Sequence, residues 1–97
     1  MSDLRDELKQ LLDEAKWDWL MPHEERGRVI VVAGGLDLVE VGVAIANDNL
    51  SSVQHWISQC LIYKPSDEQK AVWSQDQAKR FDALIVQPYV LVQEQKG

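Results

Sequence analysis

Residues 36–65, LDLVEVGVAIANDNLSSVQHWISQCLIYKP, constrain the fold more than any other stretch. They read as an apolar helix, a polar break at Asn47-Asp48-Asn49, an amphipathic second helix and a short strand over 61–63. Residues 36–46 also admit a strand reading. Val39, Val41, Val43 and Ile45 alternate, and the preceding Gly34-Gly35 is a hairpin signal. Helix is preferred, because Leu38, Val41, Gly42 and Ile45 share one helical stripe and Asp37 is a good N-cap. In the second helix Leu50, Val53, Trp56, Ile57 and Cys60 form the inner stripe, with Asn49 as cap. A helix–turn–helix followed by a strand serves as a DNA reader, a protein-docking unit or plain core architecture.

The flanking sequence supplies the rest of the fold. Leu4, Leu8, Leu11, Leu12, Ala15 and Trp19 recur at three- and four-residue steps, which predicts a first helix capped by Ser2 or Asp3 and stopped near Pro22. Residues 23–27 read as a polar turn. Residues 29–33 are apolar and β-branched, the pattern of a buried strand. Ser66 and Gln69 form a capping box after Pro65, so a helix should run to about Ser74, anchored by Val72 and Trp73. Residues 83–93 hold two extended pieces split by Pro88, which marks an edge, bulge or bend. Residues 95–97 should fray. The expected architecture is α+β: three or four helices on one face of a small, mainly antiparallel sheet, with a central helix-turn-helix.

Ninety-seven residues make one small domain, residues 1–97, and a chain of this size buries roughly 60–68% of its unfolded surface. Sixteen acidic against ten basic residues give a net charge of −6, which on average repels nucleic acid and anionic lipid. Cys60 is the single cysteine, so neither an internal disulfide nor a cysteine-built zinc site is available. No apolar run is long enough to span a membrane, and the charged N-terminus is no signal peptide. A cytoplasmic location is the natural expectation.

The same residues carry no complete catalytic or metal motif. His23-Glu24-Glu25 shares only its first two letters with the metalloprotease motif, and His55 stands in another element, so no metal is expected. His55 and Cys60 are five residues apart and point to different helix faces, which leaves Cys60 as a small apolar group. Gly34-Gly35 lacks the lysine and spacing of a phosphate loop. No catalytic residue and no cofactor is assigned. Trp19, Trp56 and Trp73 sit on apolar stripes. Trp17 is out of phase with the first helix and so is a candidate interface residue. Trp17, Trp19, His23 and Tyr89 are the residues expected at an interface or pocket. For DNA, Gln54, His55 and Ser58 on the outer face of the second helix could meet bases and Lys64 a phosphate. That face has no Lys or Arg, so nucleic acid is a poor partner.

With these motifs in place, the chain resembles a family of short bacterial proteins known as domain of unknown function 2288. The resemblance rests on WDWLMPH (17–23), LDLVEVGVAIANDN (36–49), VQHWI (53–57), LIYKPSDEQ (61–69) and LIVQPYVLVQ (84–93). Its pattern has a glycine where this chain has Cys60, which implies no catalytic role for that thiol. The function expected is a non-catalytic protein-interaction module, homo-oligomeric or bound to a protein partner. The alternatives are a winged-helix-like DNA-binding regulator, and a ligand-binding protein or enzyme with a pocket near Trp17, Trp19 and His23.

Overall fold

The computed structural model describes residues 4–95. Its elements run α1 (Leu4–Leu11), β1 (Asp13–Lys16), α2 (Trp17–Glu25), β2 (Val29–Val32), α3 (Leu38–Ala46), α4 (Leu50–Ser58), β3 (Ile62–Tyr63), α5 (Asp67–Gln75), β4 (Arg80–Val86) and β5 (Tyr89–Glu94). The strands form one sheet in the order β1-β4-β5-β2-β3. The two C-terminal pieces make an antiparallel hairpin, with Pro88 in its turn between Val86 and Tyr89. β5 then lies parallel to β2, while β1 and β3 pair antiparallel at the two edges. The fold is α+β, as the periodicities imply. Ser2, Asp3, Lys96 and Gly97 lie outside the described residues, and with them the expected N-cap of the first helix and most of the fraying tail.

The helices cover both faces of the sheet rather than one. Successive residues of a strand point to opposite sides. Phe81 and Ala83 of β4, Val90 and Val92 of β5, and Val29 and Val31 of β2 therefore meet α2 and α5 through Trp17, Leu20 and Trp73. Leu84, Val86, Leu91 and Val32 meet α1 and α3 through Leu8, Leu38, Val39 and Val41. Strands that are apolar on both faces need cover on both, and three of the five are of this kind. Lys70 joins α2 to α5, pairing with Glu24 at 3.2 Å and Asp67 at 3.4 Å. Those carboxylates, Glu24 foremost, hold its ammonium above the ordinary lysine range.

The first helix is shorter than its apolar spacing predicts. It ends at Leu11, and Asp13–Lys16 pair as a strand with Arg80–Ala83 of β4 before helix resumes at Trp17. Long-range pairing thus overrides the helical propensity of Asp-Glu-Ala-Lys. Pro22 does not stop the second piece. It lies inside α2, which continues through His23 and Glu24 to Glu25, and the turn is confined to Arg26-Gly27, where Gly27 has φ 70°. Proline forgoes one helical hydrogen bond there, while burial of Trp17 and Leu20 holds the helix on the sheet.

The caps follow the sequence. Asp37 accepts a hydrogen bond from the Val39 N–H at 2.9 Å, which settles residues 38–46 as helix. Asn49 accepts from the Ser52 N–H at 3.3 Å, and Ser66 and Gln69 complete their capping box. Between β2 and α3, the Gln93 amide donates to the carbonyls of Ala33 at 2.7 Å and Leu36 at 2.6 Å, fixing the Gly34-Gly35 loop from the neighbouring strand.

Gly42 marks the closest approach of α3 to the sheet. A Cβ there would stand 2.7 Å from Leu84 Cδ2, 3.3 Å from Val86 Cγ2 and 3.4 Å from Leu8 Cδ1. Alanine is the better helix former by about 1 kcal/mol, but over-packing a close-fitting core costs about 1–3 kcal/mol. Leu84 is wholly buried and has little room to retreat. Gly42→Ala should therefore lose about 1–2 kcal/mol in a urea melt. An unchanged midpoint would show that this contact yields freely.

Candidate functional site

α4 differs from the other helices of the fold in burying none of its side chains. Only Val53 and Trp56 of its expected inner stripe reach the core, and both remain partly exposed. Leu50 is 65% exposed and Ile57 56%. The stripe predicted to pack inward instead overhangs a groove of about 540 Å³. Ile30, Ile62 and Tyr89 form its sheet side, Ala44 and Ile45 close it at the end of α3, and Leu50, Val53 and Ile57 form the outer wall. A groove of this size and apolar character falls in the range of natural binding sites.

The turn that enters α4 sets the groove's geometry. Asp48 has φ 54°, a left-handed conformation that aspartate and asparagine tolerate better than most residues. Asn49 N–H then bonds back to the Ala44 carbonyl at 2.8 Å, so the chain reverses tightly. At the far end Cys60 also takes a left-handed conformation, φ 58°, where glycine fits with least strain. Cys60 is exposed on the groove wall. Among the described residues no three His, Cys, Asp or Glu side chains converge as a metal site would require. No described helix is long and apolar enough to cross a membrane.

The residues singled out in the sequence separate into distinct places. Trp17 is 3% exposed, packed 5.2 Å from the Trp73 ring and 6.3 Å from Phe81, with its indole N–H donating to Ser74 Oγ at 3.1 Å. Trp19 is the exposed one, at 48%, with His23 one helical turn away and ring centroids 5.0 Å apart. The break at β1 resets the helical phase, so the expected roles of Trp17 and Trp19 are exchanged. Tyr89 lines the α4 groove and Trp19 a different groove. Gln54, His55 and Ser58 are exposed on α4, outside the groove lining. Lys64 is on its rim, with its ammonium donating to the Gly27 carbonyl. The exposure of Leu50 and Ile57 had one sequence signal: residues 50–58 contain no Asp, Glu, Lys or Arg. A helix with a solvated outer face usually carries several.

These features define a small α+β protein with helices on both faces of a mixed sheet and an apolar groove beneath an under-packed helix. The chain belongs to the family described as "Protein of unknown function (DUF2288)", whose model matches residues 3–94. It is also similar to PA1075 from Pseudomonas aeruginosa, a structure determined in solution by NMR. The match covers 100% of this chain and 89% of the other at 29% sequence identity, with a TM-score of 0.83. No curated protein shows significant similarity to the chain.

Proposed function

We propose that this protein is a non-catalytic interaction module that pairs with a second copy of itself through the α4 groove. The observation that carries the reading is the exposure of Leu50 and Ile57 beside an apolar groove of about 540 Å³. A two-fold interface uses the same patch on both partners, so it needs a projection and a recess side by side. α4 supplies the projection and its underside bounds the recess. The rim holds Asp48 and Lys64, one charge of each sign, which a two-fold arrangement could pair reciprocally. The lone Cys60, with no disulfide, suits a reducing cytoplasm.

Light scattering on the eluting protein tests this directly. The mass should rise from one chain toward two as concentration passes through the order of tens of micromolar. Each chain carries a net charge of −6, so added salt should strengthen pairing by screening mutual repulsion. A single-chain mass at every concentration and salt would remove the proposal. DNA reading through Gln54, His55, Ser58 and Lys64 has less support, because α4 offers no cation for phosphate.

A further inference from the structure

A second groove, of about 500 Å³, lies on the opposite face of the sheet beside α2. It exists because β1 begins at Asp13, opposite Ala83, so Ile85 continues β4 beyond its neighbour strand and stays exposed. Ala83 and Ile85 make the apolar floor, while Leu11 and Trp19, both exposed, make the walls. The rim is acidic: Asp13 lies on the Ala83 side of the sheet and Asp18 stands on α2, while Glu14 and Lys16, though they border the groove, alternate to the other side of β1. Glu14 is paired with Arg80 at 3.3 Å and Asp13 accepts the Glu14 N–H at 2.8 Å. Asp18 has no ion pair among the described residues.

We propose that this groove holds an arginine side chain presented by a partner polypeptide. Each part of the site matches a part of that side chain. A guanidinium is planar, stacks on an indole face and takes a carboxylate through two parallel N–H donors, which Trp19 and Asp18 or Asp13 provide. Its methylene stem covers apolar surface while the head stays polar, as the Ala83–Ile85 floor allows. An anion would meet the acidic rim, and a hydrated metal ion would make no use of Trp19 or Ile85. Free arginine would bring its own α-carboxylate against the same rim. A peptide-borne arginine has no such charge. The site is on the other side of the sheet from the α4 groove, so the two proposals stand or fall separately.

The test is an NMR titration with the acetylated, amidated peptide Ser-Leu-Arg-Leu-Ser, following the four tryptophan indole N–H signals. Trp19→Phe assigns the relevant signal. The Trp19 signal should move, while those of buried Trp17 and Trp73 should not. Replacing arginine by isosteric, neutral citrulline should weaken binding about tenfold or more. Asp18→Asn, an exposed change, should weaken the arginine peptide alone, and high salt should do the same. Equal binding by the citrulline peptide, or no movement of the Trp19 signal at millimolar arginine peptide, would overturn the proposal.

Discussion

Phe81→Ala should lower stability by about 3–5 kcal/mol, enough to remove a large share of what a domain this small possesses. Phe81 is wholly buried at the centre of the α2–α5 face of the sheet. Its ring meets Trp73 edge-on, with centroids 5.0 Å apart, and Trp17 at a tilt, 6.3 Å away. Truncation removes the apolar burial of a full ring and both aromatic contacts. It also leaves a cavity between two large, stiff side chains that cannot easily collapse into it. Urea denaturation followed by tryptophan fluorescence reads the loss, and near-ultraviolet circular dichroism should weaken as Trp17 and Trp73 lose their fixed packing. A loss below about 1 kcal/mol would mean that the aromatic cluster is not a principal anchor of this face.

Ile57→Glu should have the opposite profile: little effect on the fold and a large one on assembly. Ile57 is more than half exposed, so a charged replacement in the isolated chain should change stability by no more than about 0.5 kcal/mol. In a pair of chains the same carboxylate would be driven into an apolar groove without a partner. An unpaired buried charge at an interface costs on the order of 2–5 kcal/mol, about 30-fold to several-thousand-fold in affinity. Light scattering should then report one chain at concentrations where the unaltered protein reports two. Unaltered association in Ile57→Glu would place any self-contact elsewhere.

The sequence revealed local structure better than it revealed partners. Asp37, Asn49 and the Ser66–Gln69 box marked three helix starts correctly because capping chemistry is read within four residues. The apolar run of β2 and the split of the C-terminal extended pieces at Pro88 were equally plain, though not that the two pieces pair with each other as a hairpin. The break in the first helix was not, since Asp13–Lys16 become strand only by pairing with β4, almost seventy residues on. That one break moved Trp17 into the core and Trp19 out of it. The two-faced covering of the sheet was also hidden, because strand alternation does not say which helix meets which side. The α4 stripe shows a further limit. Residues at positions 50, 53 and 57 have the spacing of a packed helix face, and periodicity alone cannot tell a chain's own core from a neighbour's surface. Of the residues expected at a site, Tyr89 and Lys64 line the α4 groove, and Trp19 lines the second.

An interface between two copies built on the apolar face of α4 brings protons of different chains into contact, and that contact can be observed directly. A sample mixed from isotope-labelled and unlabelled protein, at concentrations where the mass is that of two chains, permits a filtered nuclear Overhauser experiment. Cross-peaks should appear from the Leu50 and Ile57 methyl groups of one chain to Ile30 methyl and Tyr89 ring protons of the other. Cross-peaks confined to another surface, or none in a sample proven to be paired, would exclude the α4 groove as the interface.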